Sequence, residues 1–342
     1  MKFNLKRFTA SLLLILLVLG AVACNKTEEP TDTSAVETEE GTEAITEKAT
    51  KKTSTQKATE PPKMVEDTTG LDLEIKMLTQ NLAATDRIEG NYVSDRKARF
   101  GALIEEYAPD IIGTQEANME WMTYLKTLEG YDTVGISREG KRSMNGEWNA
   151  ILYNTARFVL MDSDTFWISS TPNKESYSTS AHSQRICTWA ELFDTYTGRT
   201  IIVANTHLDC MSETVRAEQA EILLYQLKNA LGKRFNYNPI YLMADLNSTE
   251  DGAAHDYIYS RAFVDARDLA AEDLSEGKGT YHGYGRLESG KEKEMNFCFH
   301  RGNDTVYSYE IIEKQYAANG ESEAGYISDH YGVLVTFGIT NE

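Results

Sequence analysis

From Leu71 to the C-terminus two hydrophobic periods interleave, and nothing else in the chain limits the possible folds so strongly. Strand character, apolar with β-branched and aromatic residues, runs through "LEIKMLTQNL", "DIIGTQEA", "NAILYN", "RICTWAELFDT", "RTIIVANTHLD", "PIYLMADLN", "NFCFH" and "YGVLVTFGI". Between these runs lie amphipathic helical stretches. They are clearest at 94–107, where Phe100, Leu103, Ile104 and Tyr107 share a face, and at 215–231. "ELFDTYTGRTIIVANT" reads as a hairpin turning at Thr197-Gly198, so some pairing is antiparallel and a purely parallel sheet is excluded. A mixed β-sandwich flanked by helices, one domain over 71–342, accounts for the pattern.

The chain before Leu71 has a different character. Lys2, Lys6 and Arg7 precede an uncharged run holding the apolar block 12–19, and Ala21-Val22-Ala23 leads into Cys24. A charged start, a short apolar block and a small-residue cleavage site describe a signal peptide over 1–23, too short to cross a bilayer permanently. The residues around the cut resemble a bacterial lipobox, with Ala21 where Leu is usual. They predict that Cys24 becomes a lipidated N-terminus, or that the protein is secreted plainly. Residues 25–70 are dominated by Thr and Glu, hold no aromatic residue and show no apolar period. They read as a flexible tether that keeps the domain off a membrane surface.

The formal charge of −19 becomes −22 once residues 1–23, with their three positive charges, are removed. Such a body repels a nucleic-acid backbone at long range. A local basic patch from Arg138, Lys141 and Arg142 in "SREGKRS" is weighed against a solvated loop. After Cys24 the cysteines are Cys187, Cys210 and Cys298, an odd number without zinc-ligand spacing. Either Cys187 and Cys210, which flank the Thr197-Gly198 turn, form a cross-strand bridge, or all three are apolar thiols.

Several strands end in polar chemistry: Asn81, Glu116, His207 with Asp209, Asp245 with Asn247, and Asp329 with His330. Any one of these is commonly a turn or cap residue, but the recurrence points to a site. Asn81, Glu116 and Asp329 offer hard oxygen donors of the kind magnesium takes along with waters and substrate phosphate. His207, Asp245, Asn247 and His330 suit proton transfer and the holding of developing negative charge. Metal, carboxylates and imidazoles together describe hydrolysis at phosphorus.

In this order the motifs resemble the endonuclease/exonuclease/phosphatase superfamily: "MLTQNL", "PDIIGTQEA", "GEWNAILYN", "NTHLD" followed by "RAEQAEIL", "ADLNS" and "SDHYGV". The resemblance covers 71 to the C-terminus and implies a four-layer α/β (α+β) sandwich, two packed mixed β-sheets flanked by helices. It further implies a phosphoric-ester hydrolase dependent on Mg2+ or Mn2+. Glu116, helped by Asn81, would bind the metal beside Asp329, while Asp245 and His330 position or deprotonate the attacking water. His207 and Asn247 would stabilise the phosphorane-like oxygens, with Glu147 supporting His207. The pattern breaks at "EMNFCFH", where Asn296 stands in place of the usual Asp that bonds the last histidine; an amide still fixes a tautomer but brings no charge. Glu294, two residues earlier on the same strand face, is expected to lend that charge.

"TYHGYGR" would border the mouth of the site, with Tyr281, His282 and Tyr284 either stacking on a sugar, base or headgroup or packing as a turn. Arg185 is read as a phosphate contact or as half of a surface ion pair. His182, His255 and His300 match no motif and are expected to be structural or exposed. The leading expectation is an anchored extracytoplasmic phosphohydrolase, more suited to a phosphodiester (nucleic acid, phospholipid headgroup, sugar or inositol phosphate) than to a phosphomonoester. It acts as a monomer, with nucleic acid disfavoured by the acidic body. The alternative is a catalytically impaired, surface-anchored protein that binds phosphate ligands.

Overall fold

A computed structural model describes residues 62–339 apart from 72, 85–90, 142, 144, 276 and 318–322. The signal peptide, Cys24 and most of the tether lie outside the described residues, as does Arg142.

The elements run β1 (Ile75–Asn81), α1 (Val93–Tyr107), β2 (Ile111–Ala117), α2 (Met119–Leu125), β3 (Tyr131–Val134), β4 (Trp148–Asn154), β5 (Phe158–Trp167), β6 (Ile186–Asp194) and β7 (Thr200–His207). They continue through α3 (Glu213–Leu231), α4 (Arg234–Tyr237), β8 (Ile240–Asp245), α5 (Ala253–Tyr259), β9 (Val264–Asp265), α6 (Ala266–Leu269), β10 (Glu272–Asp273), β11 (Asn296–Arg301), β12 (Thr305–Ile312) and β13 (Gly332–Gly338). One sheet of seven strands has the order β10-β12-β13-β1-β2-β4-β3, and one of six has the order β5-β6-β7-β8-β11-β9. Both are mixed, because β1 runs parallel to β2 and β7 parallel to β8 while neighbouring pairs are antiparallel.

Three apolar clusters separate the layers. Ile75, Met77, Val203, Met243 and Val335 pack between the sheets; Leu78, Ile112 and Leu334 meet α1 and α2 through Phe100 and Trp121; Ile202, Leu242 and Phe297 meet α3 and α5 through Leu223 and Ile258. This is the four-layer sandwich expected. Burial of both faces explains why β1 alternates only at its start: beyond Met77 every residue is buried, as in strands covered on both sides.

One polar network crosses the apolar layer between the sheets. Asn205 on β7 donates to the carbonyls of Thr114 (2.9 Å) and Ala150 (2.8 Å) and accepts from Gln115 Nε2 at 2.7 Å, which also donates to Thr79 Oγ1 at 3.0 Å. Such a network ties β2 and β4 to β7 in one register just below the strand ends where the polar residues gather.

The structure decides one alternative and corrects one expectation. No disulfide joins Cys187 and Cys210: Cys187 is register partner of Thr206 and faces the core under α3, while Cys210 lies beyond the end of β7. In addition β3, β5, β9, β10 and β12 were not among the expected strands. Acidic β5, at the edge of its sheet, carries Asp162 and Asp164, and the Asp162 charge is met from outside by Arg234 at 2.8 Å.

Candidate active site

The strand ends of both sheets converge. Asn81 closes β1, Glu116 lies in a bulge of β2, His207 closes β7 and Asp245 closes β8; Asn296 opens β11, and Asp329-His330 precedes β13. Parallel pairing of β1 with β2 and of β7 with β8 delivers their C-terminal ends together. Antiparallel pairing of β11 with β8 and of β13 with β1 delivers the starts of those strands to the same edge.

Local backbone geometry aims the side chains. The β2–β4 register slips between Thr114 and Ala117, and within that bulge Glu116 takes φ 56°. A bulge re-aims a side chain that regular pairing would point across the sheet. Asn247 takes φ 50°, a region Asn tolerates, and its N–H donates to Asp245 Oδ1 at 3.0 Å. Arg96, fully buried on α1, donates to the carbonyls of Leu82, Ala83 and Ile327, so one guanidinium fastens the segment after Asn81 to the segment before Asp329. Nothing in the sequence near Arg96 marked it; a charged residue on the apolar face of an amphipathic helix was the available signal.

At the carboxylate end, Asn81 Nδ2 donates to Glu116 Oε1 (3.1 Å) and Asp245 Oδ2 (2.8 Å), and its Oδ1 accepts from Ala83 N–H at 2.8 Å. Glu116 Oε2 accepts from Ala84 N–H at 3.0 Å. Asn81 therefore turns nitrogen, not oxygen, toward the carboxylates, and orders the ligand set instead of adding an oxygen to it. Burial, reinforced by the charge of Glu116, raises the Asp329 carboxyl above its usual range, while His330 pulls the other way. Among the described residues no group of three or more His, Cys, Asp or Glu forms a ready-made metal shell. Magnesium needs none: one or two carboxylates suffice when water and phosphate complete the octahedron. The mutually repelling Glu116 and Asp329 fit that demand.

At the imidazole end, His207 Nε2 lies 2.7 Å from Asn247 Nδ2, which also donates to Leu208 O at 3.1 Å. Burial first, then the charges of Arg185, Arg138 and His330, hold the His207 imidazole well below its usual range, so the ring is neutral. Its Nδ1 is buried without a hydrogen-bond partner. The expected support from Glu147 is not seen. Glu147 Oε2 instead accepts from Arg138 Nη1 at 2.7 Å, because the "SREGKRS" loop folds back and brings Arg138 against it. Arg138 is accordingly no part of an open basic patch; it is enclosed between Glu147 and Glu139.

His330 Nδ1 lies 2.7 Å from Asn296 Oδ1 and 3.7 Å from Asp245 Oδ2. Asn296 and Asp245 are register partners on β11 and β8, so the charge missing at position 296 is present one strand away. Glu294 does not supply it: its carboxylate is held by Arg267 Nη1 and by Tyr309 OH at 2.8 Å. Asp209 is likewise a structural residue, accepting from the N–H groups of His182 (2.8 Å), Met211 (2.9 Å) and Ser212 (3.0 Å).

Of the loop residues, Tyr281 reaches the site, with its ring 5.0 Å from that of His330. His282 does not serve as a stacking platform for ligand. It is buried and stacked on Tyr331 at 3.9 Å, its Nδ1 accepts from Gly285 N–H at 3.1 Å, and burial pushes it down to about 3. Tyr284 sits in the turn at φ 59° with Arg286 over its ring. Arg185 is not on the surface; only 4% of it is exposed. Of the alternatives structural or exposed, His255 and His300 are structural: both are buried, the first against Asp265 at 3.2 Å and the second stacked on Tyr241.

No curated protein matches the sequence. Among solved structures, an endonuclease/exonuclease/phosphatase from Bacteroides vulgatus is 26% identical with a TM-score of 0.70, covering 79% of this chain and 100% of its own. A mannosyl-6-phosphatase from Bacteroides thetaiotaomicron is 25% identical with a TM-score of 0.71, covering 78% and 100%. The fold is shared as well by D. rerio TDP2 complexed with a single-strand DNA product, at 17% identity and a TM-score of 0.58, covering 78% and 100%. The Endonuclease/Exonuclease/phosphatase family profile matches residues 78–330, a span that begins on β1 and ends at His330, and the chain belongs to that family.

Proposed function

We propose that the protein is an extracytoplasmic phosphoric-ester hydrolase dependent on Mg2+ or Mn2+, held at a membrane through lipidated Cys24 and acting as a monomer on a small phosphate ester. The observation that carries this reading is the meeting of Glu116, Asp245, His207, Asn247 and His330 across two sheets, joined by the Asn81–Asp245 and His330–Asp245 contacts. Glu116 and Asp329 would hold the metal, which when bound supplies Lewis acidity and charge neutralisation at the phosphoryl oxygens. Asp245 and His330 orient and deprotonate the attacking water, with Asn296 fixing the imidazole through Nδ1. Substrate would exchange the Asn247–His207 contact for donation from Asn247 Nδ2 to the oxygens on which charge develops, with the neutral His207 ring beside them. Likeness to a mannosyl-6-phosphatase favours phosphorylated sugars among small esters, and the acidic body disfavours nucleic acid.

Asn296 favours a second reading, in which the site binds phosphate without efficient turnover. Asp245 at 3.7 Å from His330 Nδ1 argues for the hydrolase. The test is hydrolysis of p-nitrophenyl phosphate and bis(p-nitrophenyl) phosphate with Mg2+, Mn2+ or EDTA, beside Glu116→Ala and His207→Ala. Turnover that EDTA and both substitutions abolish is expected. Turnover no greater than that of the two variants would transfer support to the binding reading.

A further inference from the structure

Arg185 presents a problem the proposed chemistry does not solve. An arginine cannot shed its charge by deprotonating, so a buried guanidinium needs an anion. Arg185 is 4% exposed, forms no ion pair among the described residues, and its Nε is buried with no hydrogen-bond partner. The carboxylates near it are already engaged: Glu147 by Arg138, and Asp209 by three backbone N–H groups.

Its place in the fold is well defined. Antiparallel β6 and β7 pair Cys187 with Thr206, so Arg185, two residues before Cys187, falls beside His207 and Leu208. Its carbonyl accepts from Ile168 N–H at 2.8 Å, and the preceding loop is fastened where Asp209 takes the His182 N–H and Gln219 Nε2 bonds Ser178 Oγ at 2.9 Å. The guanidinium acts electrostatically on His207, Glu147 and Asp209 alike, which puts it among all three. Along the two sheets the order is therefore His330 and Asn296, then Asn81 and Asp245, then Glu116 and His207, then Arg185 with Glu147.

We propose that Arg185 grips the terminal phosphoryl group of a phosphate monoester, on the side of His207 away from Asp245 and His330. The inference rests on the hydrolase reading for the class of reaction and narrows its substrate, against the expectation of a diester. A diester phosphate has one charge and two non-bridging oxygens, which the carboxylate-held metal and the His207–Asn247 pair would occupy. A monoester carries close to two charges at neutral pH and a third non-bridging oxygen. A guanidinium fork is the group that matches that additional charge and oxygen.

The test uses the full-length chain and its Arg185→Gln and Arg185→Lys variants, with p-nitrophenyl phosphate and bis(p-nitrophenyl) phosphate as substrates. Inorganic phosphate and dimethyl phosphate serve as ligands in calorimetry and thermal shift. Arg185→Gln is expected to lower kcat/KM for the monoester at least about 100-fold and for the diester less than about 5-fold, with Arg185→Lys between. Inorganic phosphate should bind and raise the Tm of the parent chain, dimethyl phosphate should do so weakly, and Arg185→Gln should lose the response. Equal losses on both esters, or phosphate binding unchanged in Arg185→Gln, would overturn the proposal. If the parent chain hydrolyses neither ester yet binds phosphate through Arg185, the hydrolase reading fails and the phosphate grip stands. If it hydrolyses the diester with no dependence on Arg185, the grip fails and the hydrolase stands.

Discussion

Position 296 shows how a single side chain is judged by its neighbours. In isolation an amide in place of a carboxylate removes the charge that stabilises an imidazolium, a change that costs roughly 10⁴-fold in the serine-protease triad. Here Asp245 Oδ2 stands 3.7 Å from the same His330 Nδ1 that Asn296 Oδ1 meets at 2.7 Å, so orientation and charge come from different residues. Asn296→Asp would set a second carboxylate against Asp245 in a buried cross-strand pair, where like charges repel. The expected outcome is a gain in kcat/KM of less than about 10-fold at neutral pH, with a loss of stability of about 1 kcal/mol. Steady-state kinetics and urea unfolding of the variant check both. A gain of two orders of magnitude would show that Asp245 does not serve His330.

Among the elements, β2 and β7 bring Glu116 and His207 to the site from opposite sheets, and Asn205 ties the two together. Asn205→Ala would take a donor from the carbonyls of Thr114 and Ala150 and the acceptor from one N–H of Gln115 Nε2 in the apolar layer, for a cost of about 2–4 kcal/mol. Urea unfolding should show a lower midpoint at unchanged slope, since the surface exposed on unfolding is the same. A midpoint within error of the parent would mean that water replaces the amide. Sequence patterning made the sandwich and the site's strand ends legible, since polar residues closing apolar strands stand out locally. It could not show that Arg138 claims Glu147, that Arg267 claims Glu294, or that Arg96 clamps two site segments, because each pairing joins residues distant in sequence or across a folded-back loop. Strands β5 and β12 escaped for a related reason. Their acidic or alternating polar residues are answered by partners elsewhere, such as Arg234 for Asp162 and Tyr107 for Glu310.

For the molecule as a whole, burial of titratable groups makes stability depend on pH in two opposing ways. Burial, opposed by Arg138 and by Arg267, pushes Glu147 and Glu294 each up to about 7, against an ordinary value of 4.5. It also pushes His282 down to about 3 and His207 well below 6.5. A carboxyl with a raised pKa contributes stability that is whole below 4.5 and lost as pH climbs through 7. An imidazole with a lowered pKa contributes stability that is whole above 6.5 and lost as pH falls toward its folded value. Between about pH 5 and 6.5, of these four groups the folded chain holds protons on the two carboxyls and the unfolded chain on the two imidazoles, so their slopes oppose each other. Glu294→Gln breaks the balance while keeping a partner for Tyr309 OH and leaving Asp273 on Arg267. That variant should lose about 1 kcal/mol of stability, relative to the parent, for each pH unit of acidification from 6.5 to 5. Melting curves of parent and variant at both pH values decide it: a variant that loses ground to the parent in acid supports a protonated Glu294 in the folded protein, and a constant difference shows that its carboxyl stays ionised against Arg267.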